Sequence, residues 1–266
     1  MRKIFLSCVL VCLLVFIGVY SVPFGGGIDW YDVFRPAGEA ILQGRSPYAV
    51  DGFYNPFWGA LIAVPFAMLP EPLGRGVWFA VSFLLYAVAA VRFGARRGAL
   101  AAFMVSPVVV QGLHNGNVDA LVLLGMGLPG AAGVWLAMLK PQISAGMLLW
   151  WGFDGVRKRD FGTVCALVAC VALAVVTGWH PWEWVAALEV TRWNVSLFPA
   201  GVPVGLGMVT TAVCRDDVQA ARAAGGWLSP YMTFHSWVGA MTMALNDTRV
   251  AIAVCAGLWF VVWMWI

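Results

Sequence analysis

The sequence predicts an all-α, polytopic integral membrane protein, and three observations carry that expectation. Of its 266 residues 62% are hydrophobic and the mean hydropathy is +0.84, whereas a soluble domain of this size is nearer half apolar. Several stretches stay apolar for the ~18 residues that a bilayer span requires. The basic residues gather in twos and threes between those stretches, as they do in cytoplasmic loops. About 8–11 membrane helices, several of them short or re-entrant, are expected in one transmembrane domain over residues 1–266. The formal net charge of +3 is too small to suggest nucleic acid, so membrane lipid is the expected surrounding.

The first span runs from about Ile4 to Tyr20. Arg2 and Lys3 precede it and hold the N-terminus in the cytoplasm; the apolar run is long for a signal peptide, and no small-residue cleavage site is clear. Residues 21–56 then form an outer loop, whose polar stretch Gly25 to Pro56 carries Asp29, Asp32, Arg35, Glu39, Arg45 and Asp51 in a chain only 11% charged. Ile28, Tyr31, Phe34, Ala37, Gly38, Ile41 and Leu42 recur at helical spacing, with Asp29, Asp32, Arg35, Glu39 and Gln43 opposite them. That pattern predicts an amphipathic interfacial helix with carboxylates facing water or a cleft.

Phe57 to Leu69, between Pro56 and Pro70, reaches only ~20 Å at 1.5 Å per residue and reads as re-entrant. Gly76 to Phe93 is a full span ending at Arg92, Arg96 and Arg97, which marks the inside. Ala99 to Leu113, broken at Pro107, returns outward and delivers Gln111, His114, Asn115, Asn117 and Asp119 to the side of the first loop. Two short apolar pieces, Val118 to Leu128 and Ala131 to Leu139, lead to Lys140, Pro141 and Gln142. A lysine inside an apolar stretch is costly unless it meets water or a partner, and short helices interrupted by Gly and Pro are how membrane proteins build sites within the bilayer.

Ile143 to Trp151 descends to a second inside marker, Arg157, Lys158 and Arg159. Phe161 to Thr177 returns outward to a Trp-rich segment, Trp179, His180, Trp182, Trp184 and Trp193, suited to the headgroup region. Val202 to Cys214 goes in, Arg215 to Arg222 is cytoplasmic, Ser229 to His235 comes back to the outer side, and Val250 to Ile266 is the last span. Cys8, Cys12, Cys165, Cys170, Cys214 and Cys255 lie in or at the ends of apolar segments, with no CxxC pair, and read as buried small hydrophobes. No cluster has metal-ligand spacing, so neither a metal nor a cofactor is expected.

Topology alone puts Asp29, Asp32, His114, Asn115, Asn117, Asp119, Lys140 and His235 on one side. No hydrolase triad spacing, phosphate loop or zinc motif is present. Carboxylates that can act as a base, beside a lysine and histidines that can receive an anion, suit three classes: a transferase with a lipid-anchored phosphate donor, an ion-coupled transporter, or a structural subunit whose polar groups solvate a cleft. The residues by themselves leave all three open. Asp29 as a helix N-cap and Lys140 as a snorkel to the interface are the structural alternatives at those two positions.

Six short signatures occur in one order: GRSPY (Gly44 to Tyr48), FYNPFWGALIAVPFAMLP (Phe53 to Pro70), SP with GNVD (Ser106, Pro107, Gly116 to Asp119), LKPQ (Leu139 to Gln142), WNVSL (Trp193 to Leu197) and LSPYMTFHSW (Leu228 to Trp237). In that order, behind an outer-loop aspartate, they resemble the GT-C superfamily of polyprenol-phosphate-sugar-dependent glycosyltransferases, closest to glycosyltransferase family 87, the alpha-mannosyltransferase-like family of bacteria, in a shortened form. The resemblance implies a GT-C-like fold in a bacterial inner membrane and transfer of a sugar, with mannose the candidate, from a polyprenyl-phosphate donor to an extracytoplasmic acceptor with inversion.

By position it implies Asp29 as the base, with Asp32 second and His235 assisting proton transfer or phosphate binding. It further implies Lys140 against the leaving phosphate, and Gln142, His114, Asn115, Asn117, Asp119 and Asn194 as the surrounding substrate-binding set. The donor lipid is a substrate and no cofactor is implied. The alternative is a non-catalytic membrane subunit or lipid-binding protein on the same scaffold.

Overall fold

The computed structural model describes residues 2–20, 27–180 and 193–265. Among them the chain is all-helical, with no strand. Helix α1 (Arg2–Tyr20) crosses α4 (Glu71–Arg92) where Gly18 meets Gly76. A Cβ on Gly18 would stand 2.7 Å from the Gly76 Cα, so these two backbones touch because neither residue has a side chain.

The polar stretch opens with a π-helical turn, Asp29–Phe34, that runs into α2 (Arg35–Leu42). Its buried stripe differs from the expected one. Ile28 and Leu42 are about half exposed, at 52% and 50%, whereas Trp30 is fully buried with Phe34, Ala37, Gly38 and Ala40. The cause is the wider π turn, whose i→i+5 bonding shifts the phase of everything before Phe34 relative to a 3.6-residue reading. Trp30 therefore packs on Trp78, with ring centroids 5.2 Å apart, and Asp29 faces the other way.

Helix α3 (Phe57–Ala67) is tied down just beyond both ends. Ahead of it, Asn55 Nδ2 donates to the Leu139 carbonyl at 2.7 Å; behind it, Arg35 Nη1 donates to the Leu69 carbonyl at 3.2 Å. Helices α5 (Arg97–Met104) and α6 (Pro107–Asn115) are halves of one rise, interrupted at Ser106 and Pro107. A tight hairpin of α7 (Asp119–Met126) and α8 (Gly130–Ala137) follows. Its two arms meet at Gly125, where a Cβ would lie 2.6 Å from the Ala137 nitrogen.

Helix α9 (Pro141–Lys158) is the central strut, about 27 Å long at 1.5 Å per residue, and α10 (Phe161–Val176) runs back beside it. The C-terminal part comprises α11 (Val202–Arg215), α12 (Val218–Leu228), a 3-10 turn at Phe234–Trp237, the single-turn α13 (Val238–Met241), a second 3-10 turn at Thr242–Asn246, and α14 (Thr248–Trp265).

Within Arg215 to Arg222, Asp217 accepts from the backbone of Gln219 and Ala220 and caps helix α12, which starts three residues past Arg215. The Arg222 guanidinium lies over the Phe93 ring, 4.1 Å from its centroid. The small residues of the run AARAAGG let α12 press on α9. Gly225 sits directly against the Ile143 carbonyl and Gly146 against Ala221 and Ala224, the close small-residue packing found between helices in lipid.

We expect Gly225→Val to drive α12 off α9 and cost ~1–3 kcal/mol, as overpacking does. Gly257→Ala on α14, with nothing within 4 Å of its Cβ, should leave stability unchanged or raise it by up to ~1 kcal/mol. Thermal unfolding in detergent checks both; equal midpoints would contradict the packing argument.

Among the described residues one helix, Glu71–Arg92, is both long and apolar enough to cross a membrane alone. Residues Leu6–Tyr20, Phe57–Ala67, Phe161–Val176, Val202–Arg215 and Thr248–Met264 are apolar but shorter. Large apolar side chains stand exposed on α1 (Ile4, Leu13, Phe16), α10 (Phe161, Val168, Val176) and α14 (Phe260, Trp263, Met264). Cys170 and Cys255 are buried as expected, but Cys8, Cys12, Cys165 and Cys214 are exposed and free.

Candidate functional site

Four segments far apart in the chain meet at one end of the helix bundle, and each is aimed by a local feature. Helix α6 stops at Gly116, which takes φ +76° while the Gly116 and Asn117 amides both donate to the Gly112 carbonyl. This left-handed cap is one that glycine adopts without strain. A side chain at Gly116 would also strike Trp30, its Cβ being 2.7 Å from the Trp30 Cβ. The corner is further held by Trp78 Nε1, donating to the Gly116 carbonyl at 2.8 Å. Asn117 and Asp119, the latter in the first turn of α7, are thereby turned inward.

Lys140 is the residue before Pro141 at the start of α9. Ser144 Oγ donates to the Ala137 carbonyl at 2.6 Å and ties the α8–α9 junction. His235 sits in the 3-10 turn after the Leu228–Thr233 segment. Asn194 holds that segment in place: its Nδ2 donates to the Pro230 carbonyl at 3.0 Å and its Oδ1 accepts from the Met232 amide at 3.1 Å.

The side chains form one continuous chain of hydrogen bonds. Asn117 Nδ2 donates to Asp29 Oδ2 at 2.7 Å, and its Oδ1 accepts from Lys140 Nζ at 3.0 Å and from the Val118 amide at 2.7 Å. Lys140 Nζ also donates to Asp119 Oδ1 at 2.7 Å, and Asp119 Oδ2 is 2.7 Å from His235 Nδ1. On the far side of the ring, His235 Nε2 is 3.0 Å from Thr233 Oγ1 and 3.9 Å from Asp29 Oδ2.

Asp119 has no exposed surface, and His235 and Lys140 are 4% and 6% exposed. An ionised carboxylate is tolerable at such depth because both of its oxygens are met by donors, one of them cationic. An ionised Asp119 can only accept, so His235 Nδ1 carries the proton of that contact; in the neutral form of the ring Nε2 is then the acceptor.

Beside this chain is a cavity of about 450 Å³ lined by Asp29, Asn117, Lys140, Gln142, Thr233 and His235, with Phe34, Tyr54, Trp179 and Tyr231 as its aromatic surfaces. That volume lies in the usual range for small-molecule sites. Burial first, and then the Asp29 carboxylate and the Tyr54 phenol, push the Tyr231 phenol above its ordinary value, so it remains a protonated donor in the working pH range.

Of the residues singled out in the sequence, Asp29, Asn117, Lys140, Gln142 and His235 share the cavity, and Asp119 supports it from behind. Asp32 does not join them; it is exposed on the outer side of the π turn. His114 contributes its backbone carbonyl, which accepts from Arg75, and neither it nor Asn115 lines the cavity. Asn194 acts through the segment it pins.

Asp29 is not a helix cap, because the residue ahead of the π turn is Ile28 and no side chain caps it. Lys140 is not a snorkel, because its ammonium is buried against a carboxylate. Sequence reasoning passed over Tyr54, Asn55, Tyr231 and Thr233 as individual residues, although the FYNP and LSPYMTFH signatures contain them. It read Trp179 as a headgroup anchor, whereas its Nε1 donates to the Tyr54 carbonyl at 2.8 Å and its ring lines the cavity. Trp182 and Trp184 lie outside the described residues.

The chain matches no protein-family model, and no curated protein or solved structure is similar enough to it to count as a match.

Proposed function

We propose that this is a polytopic membrane glycosyltransferase that moves a sugar, mannose being the candidate, from a polyprenyl-phosphate donor to an acceptor outside the cytoplasm. The observation that carries the reading is the state of Asp29. One carboxylate oxygen is fixed by Asn117, no described residue engages the other, and the group lines a cavity that Lys140 and the start of α9 also line, with Asn117 bridging Asp29 and Lys140. That is how a general base is presented to an incoming hydroxyl.

The acceptor oxygen gives its proton to Asp29 as it attacks the anomeric carbon, and the lipid phosphate departs on the other face, so the configuration inverts. The phosphate is received by the positive end of α9, with Gln142 and the one Lys140 N–H not used by Asn117 and Asp119. Convergence supports the family reading: FYNP, GNVD, LKPQ and LSPYMTFH, separated along the chain by up to 180 positions between Asn55 and His235, all contribute to one cavity.

The membrane setting rests on the exposed apolar faces of α1, α10 and α14, too extensive for a water-soluble surface, and on the length of α4. Orientation follows from α9, which begins at the cavity and ends at Arg157 and Lys158, and from α4, which runs from Arg75 beside the site to Arg92. Both basic ends lie opposite the cavity, which supports an outward-facing cavity under the positive-inside rule.

In a background without native cysteines, Ser46→Cys is expected to react with an impermeant maleimide from outside the cell and Arg96→Cys only from inside. Labelling of both from one side would end the outer-site assignment.

The function itself is tested in proteoliposomes given labelled polyprenyl-phosphate mannose and hydrophobic acceptor glycosides. Transfer with inverted anomeric configuration is expected, and its absence with every polyprenyl-phosphate sugar tried would reject the enzyme. One observation favours a second reading, a lipid-binding protein without catalysis: Asp119 already neutralises Lys140, so no phosphate is required to explain the lysine. That protein would bind polyprenyl phosphate in the same vesicles and release no sugar.

A further inference from the structure

We propose that Thr233, His235 and Asp119 form a nucleophile, base and orienting carboxylate that give the cavity a second activity, the capture of an acyl group from an ester or thioester on Thr233 Oγ1. This does not depend on Asp29 and stands whether or not a sugar is transferred. The three residues meet the geometric test for such a set: nucleophile to base is 3.0 Å and base to orienting group is 2.7 Å, both inside the 2.6–3.2 Å reach that proton transfer needs.

In the neutral form of the ring the hydrogen bonds run the way the step requires. Asp119 is wholly buried and its other oxygen is taken by Lys140, so it holds the ring with Nδ1 protonated and leaves the Nε2 lone pair for the Thr233 hydroxyl. Thr233 has one proton and gives it to Nε2; the 2.8 Å contact with Ser236 Oγ is then donated by Ser236, which steadies charge developing on Oγ1. Both Thr233 and His235 line the cavity, while Asp119 does not, which is the exposure that nucleophile, base and orienting group require.

A lone threonine hydroxyl is a weak nucleophile; here the imidazole beside it, with the carboxylate behind, supplies the base that activates it.

In the step, Oγ1 attacks the carbonyl carbon and its proton passes to Nε2, where the imidazolium is stabilised by Asp119. The tetrahedral intermediate collapses by breaking the bond to the alkoxide or thiolate, which leaves with the proton from Nε2. The product is an O-acyl-threonine ester at position 233, with no change of oxidation state.

The test treats the full-length protein in detergent with an alkyl fluorophosphonate, which reacts by the same attack with loss of fluoride, and maps the adduct by mass spectrometry. One adduct per chain is expected, on Thr233, retained in Thr233→Ser and absent in Thr233→Ala, with labelling slowed at least a hundredfold in His235→Gln. A burst of nitrophenolate from a p-nitrophenyl ester, close to one equivalent per chain, should accompany it. No adduct on the wild type, an adduct on Ser236, labelling that persists in Thr233→Ala, or an undiminished rate in His235→Gln would each overturn the proposal. Thr233→Ser and Thr233→Ala change one methyl or one hydroxyl, so both variants remain informative if His235→Gln misfolds.

Discussion

Asp29→Asn should lower sugar transfer by at least the ~10²-fold typical of removing a general base, with little change in the amount of folded protein. The exchange is nearly isosteric, and the variant amide can still accept from Asn117 Nδ2 through its carbonyl oxygen, so the 2.7 Å bond that orients the group has a replacement. What is lost is the lone pair basic enough to take a proton from a hydroxyl. Asp32→Asn is expected to transfer at close to the wild-type rate, since Asp32 is exposed and outside the cavity. Initial rates with saturating acceptor check this. Equal rates in wild type and Asp29→Asn would remove Asp29 from the chemistry, and a larger loss at Asp32 would move the base to the outer face of the π turn.

Lys140→Met should destabilise the fold by about 3–5 kcal/mol, the usual cost of leaving one member of a buried ion pair alone. Asp119 would keep its charge with only the imidazole donor, and Asn117 Oδ1 would lose the ammonium as a donor. A snorkelling or surface lysine would give the opposite result, because methionine packs better in an apolar setting. The double variant Lys140→Met with Asp119→Leu should recover much of the loss, although His235 then loses its orienting group and activity does not return. Urea or thermal unfolding in detergent reads both arms. A midpoint for Lys140→Met at or above wild type would mean that the 2.7 Å pair does not persist in the membrane.

Helix positions were largely legible in this sequence, because Pro and Gly punctuate it so densely: Pro56, Pro70, Pro107, Pro129 and Pro141 each stand at or one residue before a helix start in the structure. The phase of the outer-loop helix was not, since a π turn cannot be seen in a pattern read at 3.6 residues per turn, and so Trp30 went unnoticed.

The members of the site were legible as residue types out of place in an apolar chain, but their pairing was not. Nothing in the spacing of Asp119 and Lys140 says that α7 and α8 fold back tightly enough at Gly125 to bring the two corners together. That contact changes Lys140 from a free cation awaiting an anion into half of an internal pair, with a single N–H left for a ligand. The aromatic surfaces of the cavity come from Phe34, Tyr54, Trp179 and Tyr231 in four separate segments, and no local pattern joins them.

The run of hydrogen bonds from Asp29 through Asn117 and Lys140 to Asp119 has a consequence for the traffic of protons. Its two middle members are an amide and an ammonium, and neither can bind another proton. The two carboxylates thus feel each other's charge without being able to exchange protons along that route, which acts as an insulator. A proton picked up by Asp29 leaves through the water of the cavity, because His235 Nε2, at 3.9 Å, lies beyond direct transfer distance. For the transfer proposed above, the base would be regenerated from the side on which substrates arrive, and turnover should respond to buffer on the cavity side of the membrane.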